Sequence, residues 1–558
     1  MMRKKIEYGA RLLCLGIALG LITLILVSRI FYLGIIKRDF LVRQSNLRTV
    51  REISTQAYRG IILDRNEESL AISIPAESIW INPKIFNPSN KEINELSMLL
   101  EISASTIIQK ANAKKSREFV YLKRSIPTEA ANQIMSLKIA GVFREKTYKR
   151  FYPEAEAVSQ IIGFTNIDDQ GQEGLELVYD EWLRGTPGKT RVVKDRLGNV
   201  VANLGVIAEP QRGHNLTLSI DRRIQYLAYH ELSKAVTKHR AEFGSAVVLS
   251  VKTGEILAMA NYPSYNPNNR QQVSPANLRN KALTDLFEPG STIKTFTVAA
   301  GLESGLYHSR TLIDTNPGVL WVSKHPIRDD KNINNGVISV AKVLQKSSDI
   351  GVSKIALSLP SNTLLNTLIK FGFGQSTKSY FPGEAIGNLP NNLDKRPFVL
   401  ATLSFGYSLS VTLLQLAKAY AIIGNYGTEL PITFVKVNES PLGNPVFSSK
   451  ICKELIAILE EVVTNGGGKL AKVSGYRVAG KTGTARIASP TGGYYSDRHY
   501  SSFAGIAPIS DPQLVVAIML KYPKNNYYGS LVAAPLFSEI MGGTLRILNI
   551  EPDDATLN

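Results

Sequence analysis

The strongest hydrophobic signal lies near the N-terminus. Leu12 to Ser28 is a run of seventeen residues without a charge, and after Arg29 the apolar stretch resumes as "IFYLGII" before Lys37 and Arg38. As a helix, such a run spans a bilayer core of roughly 30 Å. It is longer than the apolar core of a cleaved signal peptide, and no A-x-A-like site is evident. No helical periodicity breaks it, as it would in a buried core helix. The pattern predicts an uncleaved signal-anchor over residues 12–36. Arg3, Lys4, Lys5 and Arg11 precede the run, so the positive-inside bias puts a tail of residues 1–11 in the cytoplasm and everything after the span outside it.

Beyond the anchor the patterning falls into two regions. Residues 37–212 hold short strand-like pieces such as "RGIILDRN" and "SIPAESIWINP", with scattered charges, prolines and glycines and no cluster of catalytic type. Turn glycines at 171, 174, 185, 188 and 198 surround a short amphipathic segment. This reads as a mixed α/β scaffold or interaction domain. From residue 213 the texture changes: "HNLTLSID" is an entry strand and "RRIQYLAYHELSKAVTKH" has the three- and four-residue apolar spacing of a helix. "GSAVVLSVKTGEILAMANYP" then places two apolar runs around K-T-G-E, the pattern of a β-hairpin with Lys252-Thr253-Gly254 in its turn. "ICKELIAILEEVV" predicts an amphipathic helix with Cys452 packed inside it.

Composition narrows the function classes. A chain of 558 residues exceeds what one core organises, so at least two folded domains are expected. The formal charge of +18 suits nucleic acid, anionic lipid or an acidic polymer such as cell wall. No zinc-finger spacing, helix-turn-helix signature or long Lys/Arg block accompanies it, which argues against nucleic acid. The two cysteines, Cys14 in the span and Cys452 far from it, offer no disulfide framework. The histidines at 214, 230, 239, 308, 325 and 499 show no ligand spacing such as H-E-x-x-H, so neither a metal nor another cofactor is expected.

"GYRVAGKT", residues 475–482, fits the P-loop pattern G-x-x-x-x-G-K-[ST] through Gly475, Gly480, Lys481 and Thr482. That chemistry requires a helix to begin at Lys481-Thr482 behind an open phosphate-wrapping loop. Gly483 followed by "TARIA" is a poor first turn, "YRVA" is bulky and β-prone, and no apolar strand ending in a magnesium-binding Asp follows. The same residues read better as a strand. On an edge strand the Lys481 ammonium and the hydroxyls of Thr482 and Thr484 line a cleft suited to a carboxylate, with Gly483 leaving room for a ligand backbone.

A nucleophile for such a cleft stands in "DLFEPGSTIKTFTVAAGLESG", where Pro289-Gly290 is a turn, Ser291 a helix start, and the helical spacing ends at Gly305. Ser291 and Lys294 are three residues apart and share a helix face. A desolvated lysine is a base able to activate a serine hydroxyl. Between this motif and the second K-T-G, "LQKSSDIGVSKIALSL" supplies Ser347-Ser348-Asp349 on another helix-like stretch.

Ser-x-x-Lys, then Ser-x-Asn/Asp, then Lys-Thr-Gly on a strand resembles the penicillin-recognising serine acyltransferases. "RGIILDRN", "QEGLELVYDEWLRG", "FEPGSTIKTFT", "VLQKSSDIGVSKIAL", "SFGYSLSVTLLQLAKAYAIIGNYG" and "GYRVAGKTGTARIA" extend the resemblance over almost the whole chain to the class B penicillin-binding proteins. The tail "YYGSLVAAPLFSEIMGGTLRILNIEPDD" is similar to the branch specific to division. The resemblance implies an α/β (α+β) penicillin-binding, serine β-lactamase-like transpeptidase domain over 213–558, its antiparallel sheet packed by helices, behind a single transmembrane helix and a non-catalytic pedestal, a dimerisation-type domain, over 37–212. It implies a single-pass type II protein of the bacterial inner membrane, with its catalytic domain in the periplasm. Peptidoglycan stem peptides and β-lactams are the implied ligands. The implied partners are division-complex membrane proteins, among them a polytopic peptidoglycan glycosyltransferase.

Carried over residue by residue, Ser291 is the nucleophile, Lys294 its base and Ser347 the proton relay, with Asp349 the third residue of that motif. Lys481, Thr482, Gly483 and Thr484 bind the substrate, and the backbone N–H groups of Ser291 and Thr484 form the oxyanion hole. Asp349 departs from the Asn of division enzymes and matches elongation-type relatives. An elongation-type transpeptidase and a non-catalytic β-lactam sensor or scaffold therefore stay open beside the division reading.

Overall fold

The computed structural model describes residues 2–195, 200–271, 273–360 and 362–554, with side chains described from residue 8. Gly198 lies outside the described residues. The chain forms two compact units. They do not follow the linear division at residue 213: one comprises Met1–Tyr58, Pro75–Tyr148 and Gly185–Gly213, the other Arg59–Ile74, Lys149–Arg184 and His214–Asn558.

In the first unit the predicted anchor is a helix, Met2–Phe31, continued by a wider turn over Tyr32–Ile36. Among the described residues Tyr8–Ile36 is the one stretch long and apolar enough to cross a membrane, with mean hydropathy 2.5 and no part of it buried against protein. After it, Val50–Thr55, Gly188–Lys194 and Val200–Ala208 form an antiparallel sheet with Gly188–Lys194 in the middle. A separate small core gathers Ile79, Ile81, Leu96, Leu100, Ile107, Leu122 and Ile134. One of its helices, Asn90–Leu100, begins with a reciprocal cap between Ser89 and Glu92.

The second unit owes its discontinuous membership to a buried charge cluster and a shared core. Arg59 donates to Glu176 and Asp180 at 2.8 Å each, and Arg150 donates to the other Glu176 oxygen at 2.7 Å. Buried ions of this kind persist only when each is paired and hydrogen-bonded. Ile62, Leu70, Tyr152, Ile161, Leu175 and Leu183 then join the same core as Leu216, Phe243 and Val247. Pairing by charge and burial cannot be read from a linear change of texture.

The catalytic-type unit is built on five antiparallel strands: β1 (Phe243–Ser250), β2 (Ile256–Tyr262), β3 (Ala479–Ala488), β4 (Tyr494–Ala507) and β5 (Leu514–Lys521), in the order β2-β1-β5-β4-β3. Its main helices are α1 (Arg222–His239), α2 (Lys294–Glu303), α3 (Val340–Lys346), α4 (Asp349–Ser358), α5 (Leu413–Gly424), α6 (Ser449–Thr464) and α7 (Gly529–Ile547). Period-two alternation feeds two cores. Ala246, Val248, Val516 and Ile518 pack with α1 and α7 side chains such as Leu232 and Phe537. Val247, Leu249, Val515 and Ala517 pack on the other face with Leu416 and Tyr420 of α5. A sheet covered on both faces explains why β1 and β5 are apolar at nearly every position.

The hairpin predicted around the first K-T-G is β1–β2, and Gly254 in its turn has φ +72°, where an added Cβ would lie 2.1 Å from the Pro431 carbonyl. Cys452 is fully buried on α6, and burial pushes its thiol up to about 12.

Candidate active site

The second K-T-G sits in the middle of β3, and no helix starts at Lys481-Thr482. A phosphate loop is therefore excluded by geometry. β3 is the sheet edge, paired only with β4, and its residues alternate. Thr482, Thr484 and Arg486 line a cleft of about 560 Å³ together with Ser291, Lys294, Ser347 and Asp349. The three sequence motifs thus meet in one cavity.

Ser291 is carried by a tight 3-10 turn, Gly290–Ile293, and the α-helix α2 begins only at Lys294. The expected helix start is displaced by these residues because Gly290 has φ +57°, and a Cβ there would lie 2.8 Å from the carbonyl oxygen of Thr484. The turn that holds the serine is pressed against the K-T-G strand. Gly483 serves the same approach from the other side. Its missing side chain leaves room for the Ser502 hydroxyl and the Pro289 carbonyl, which would lie 2.2 and 2.5 Å from a Cβ. The expectation that Gly483 makes room for a ligand is corrected: it makes room for the protein's own nucleophile turn.

Ser347 is not within a helix, contrary to the helix-like reading of its segment. It closes α3 in the left-handed conformation (φ 58°, ψ 42°), and Ser348 opens α4 as its cap, accepting from the Gly351 N–H at 3.0 Å. The joint turns the Ser347 hydroxyl between two lysines: Lys294 Nζ and Lys481 Nζ each lie 3.1 Å from Ser347 Oγ. Lys294 also donates to the Ser347 carbonyl at 2.5 Å and lies 2.5 Å from Asp349 Oδ1. Lys481 completes its contacts with the carbonyl and hydroxyl of Thr482 at 3.3 and 3.5 Å. The Lys481 side chain, expected at the cleft wall, is 1% exposed and stands behind Thr482.

Electrostatics follow from this burial. Loss of water, helped by the nearby positive charge of Lys294, lowers Lys481 to about 7. Burial pushes the Asp349 carboxyl up, against the pull of Lys294, and the charge of Asp329 adds to the rise. Asp329 is a functional neighbour that sequence reasoning missed. It is buried, accepts from the Ser348 hydroxyl at 2.8 Å, from the Ile350 N–H at 3.0 Å and from Asn335 at 2.6 Å. It thereby fixes the α3–α4 joint from a position about twenty residues earlier in the chain.

The remaining walls were not legible either. His499 stacks on Tyr527 with ring centroids 4.1 Å apart, and Tyr527 on Tyr528 at 4.6 Å. Burial and Arg486 lower the His499 pKa. Opposite, Tyr407 meets Tyr494 edge-on, and Glu288, three residues before Ser291, accepts from the Tyr494 hydroxyl at 3.0 Å and from the Ser408 N–H at 2.8 Å. The Thr484 hydroxyl accepts from the Gly529 N–H at 3.0 Å and keeps its own proton to donate. Among the described residues no group of three His, Cys, Asp or Glu side chains is placed to hold a metal ion.

Comparison with known proteins matches this architecture. The model of the penicillin-binding protein transpeptidase domain matches residues 244–542, and that of the penicillin-binding protein dimerisation domain matches residues 54–218. The chain is 41% identical over 537 residues to the probable peptidoglycan D,D-transpeptidase PbpC of Pseudomonas aeruginosa, covering 96% of this chain and 94% of that one. It is 40% identical over 558 residues to the peptidoglycan D,D-transpeptidase FtsI of Escherichia coli K12, covering 99% and 94%. Among solved structures, penicillin-binding protein 3 of Mycobacterium tuberculosis complexed with aztreonam aligns with TM-score 0.70 at 27% identity, covering 90% of this chain and 98% of that one. The apo transpeptidase domain of Burkholderia pseudomallei penicillin-binding protein 3 aligns with TM-score 0.55 at 40% identity, covering 60% and 98%. With both domains matched in order and near-full-length identity of this size, the chain belongs to the class B penicillin-binding proteins, among relatives that include the FtsI transpeptidases.

Proposed function

We propose that Ser291 is the acyl-carrying nucleophile of a septal peptidoglycan D,D-transpeptidase, and that the observation carrying this reading is the convergence of Lys294 and Lys481 on the Ser347 hydroxyl in the cleft that Ser291 also lines. The chain is a peptidoglycan D,D-transpeptidase and binds β-lactams. Ser291 Oγ attacks the carbonyl of the penultimate D-Ala, and its proton passes to the Lys294 amine. Asp349 Oδ1 lies 2.5 Å from the Lys294 amine and holds it in place, while burial raises the Asp349 carboxyl against the pull of that lysine. The oxyanion of the tetrahedral intermediate is held by the backbone N–H groups of Ser291 and Thr484, where one donor is worth roughly 100- to 1000-fold in rate. The C–N bond to the terminal D-Ala breaks, and Ser347 hands its proton to the leaving amine while taking in its place the proton held by Lys294, 3.1 Å away. An acceptor amine on a neighbouring strand then attacks the ester, forms the cross-linking amide, and Ser291 regains its proton.

Thr482 and Thr484 receive the substrate carboxylate by hydroxyl donation, with Lys481 behind them as the charge. This role predicts a pH dependence. A free enzyme whose Lys481 sits at about 7 carries a neutral amine above that pH, so binding a carboxylate there requires proton uptake. Non-covalent affinity of the Ser291→Ala variant for benzylpenicillin is expected to fall as pH rises through about 7, and to lose that dependence in Ser291→Ala/Lys481→Met. A flat profile in the single variant removes Lys481 from carboxylate binding.

Residues 12–36 anchor the chain as a type II protein, with residues 1–11 in the cytoplasm and the catalytic unit in the periplasm. Residues 213–558 carry the transpeptidase domain, with residues 59–74 and 149–184 sharing its core, and the rest of residues 37–212 is the pedestal. Division-complex membrane proteins, including a polytopic glycosyltransferase, are the partners of that pedestal and anchor. The test of the activity offers the full-length protein a stem pentapeptide donor and an acceptor amine. Release of D-Ala should equal formation of new amide bonds, and both should vanish in Ser291→Ala. Covalent labelling by a β-lactam with neither product would instead favour a sensor.

A further inference from the structure

The chain has three tryptophans, and the fold uses two of them. Trp80 stacks on Phe143 with ring centroids 4.3 Å apart, and Trp182 lies 4.4 Å from His214 and donates its indole N–H to the Asn215 carbonyl. Trp321 is 62% exposed, and among the described residues it meets no other ring and its N–H finds no acceptor. An exposed indole offers a broad flat apolar face and an N–H donor to a ligand, and its setting decides what it can bind.

Its setting is rigid. Trp321 lies in a hairpin of Leu320–Val322 and His325–Ile327, directly opposite Pro326, and opposed residues project on the same face. On the reverse face Val322 and Ile327 are buried against Ile350 of α4 and Ala401. The hairpin turn has only two residues, Ser323 and Lys324, both at positive φ. Trp321 and Pro326 therefore project side by side into solvent from a hairpin whose other face is packed down.

The hairpin leads into the active-site cleft. Arg328 and Asp330, which follow directly from the second strand, line that cleft, and Arg328 stands only two residues beyond Pro326, about 7 Å along an extended chain. An indole face beside a proline ring matches the C–H face of a pyranose, whose hydroxyls radiate sideways while its axial hydrogens meet the electron-rich ring. Lys324 and Arg328, exposed and without an ion pair among the described residues, are donors placed at the rim for hydroxyl and carbonyl oxygens of the sugar.

We infer that Trp321 and Pro326 form a saccharide subsite, which binds the glycan backbone of the strand whose stem peptide occupies the cleft. The inference rests on the transpeptidase reading only in naming that strand. The subsite holds the carrier of the peptide, so it acts on substrate affinity and leaves the chemistry at Ser291 unchanged. A small β-lactam, which has no glycan, does not reach it.

The test uses the full-length protein in detergent and, as probe, a fluorescently labelled peptidoglycan tetrasaccharide stripped of stem peptides by amidase. Binding followed by anisotropy is expected to weaken about tenfold in Trp321→Ala, the size typical of losing an aromatic anchor, and to recover mostly in Trp321→Phe. In turnover, the KM for a glycan-linked donor should rise by a similar factor at unchanged kcat, while the KM for free pentapeptide and the rate of benzylpenicillin acylation stay within about twofold. Equal tetrasaccharide affinity in wild type and Trp321→Ala overturns the subsite. So does an equal loss with free pentapeptide, which would make the hairpin a brace for α4, or the loss of a protein partner with glycan binding intact. A wild-type protein that neither acylates nor cross-links would sink the transpeptidase reading, and the anisotropy arm would still decide the subsite.

Discussion

Ser291→Ala is expected to remain folded and to carry no covalent adduct after incubation with benzylpenicillin. The loss is total because the ester bond needs that oxygen, and the hydroxyl of Ser347 in the same cleft is engaged by both lysines at 3.1 Å. The cost to stability is small because, among the described residues, the Ser291 side chain makes no hydrogen bond whose loss would leave a buried partner unsatisfied. A melting temperature within about 2 °C of wild type fits a change worth under about 0.5 kcal/mol. Intact-mass measurement checks the adduct. An adduct that persists in the variant, or maps to another residue, contradicts the assignment.

Lys294→Met should lower the acylation rate by at least about 1000-fold, the upper part of the range for a positioned base. Methionine keeps the unbranched shape that fills the buried space and removes the amine. It also leaves Asp349, whose side chain is 27% exposed, without the partner 2.5 Å away. A destabilisation of about 1–3 kcal/mol follows from that lost pairing rather than from lost packing. Lys294→Met/Asp349→Asn separates the two effects, since an amide offers the same shape without the charge. The double variant is expected to regain stability and remain as slow as the single one. If activity returned along with stability, Lys294 would be a structural cation and the base would lie elsewhere.

Much of this site was legible before any coordinates because its chemistry is written in short-range spacing. Ser291 and Lys294 share one turn, and the rigid order of three motifs carries the family. Strand propensity and the misplaced Gly483 were enough to reject a phosphate loop, and β3 bears that out. The hairpin around Lys252 was legible through its two apolar runs.

What was not legible depends on contacts between distant segments. Asp329 is an ordinary acidic residue in a polar loop until the fold brings it under Ser348 and Ile350. Ser347 lies in a sequence that continues the helical pattern on both sides, and only the left-handed joint aims its hydroxyl at the lysines. The role of Gly483 was misread because edge strands usually meet ligands, whereas here the neighbour is the Pro289 carbonyl. Lys481 was placed on the cleft wall because strand periodicity says which face a side chain takes and nothing about what covers that face. The discontinuous second unit was hidden for a related reason: Arg59 and Arg150 find Glu176 across more than twenty residues of intervening chain each. The aromatic wall of His499, Tyr527 and Tyr528 comes from two segments and has no spacing to betray it.

The central claim is that Ser291 carries the peptide between donor and acceptor. It is tested most directly by quenching the full-length protein in acid during turnover of a stem pentapeptide, with the acceptor amine withheld, and digesting it for mass spectrometry. The account predicts one added acyl group, equal to the donor less its terminal D-Ala, on the peptide containing Ser291, and its disappearance when the acceptor is restored. Release of D-Ala with no acyl group on Ser291, or an acyl group there that the acceptor never removes, would contradict it.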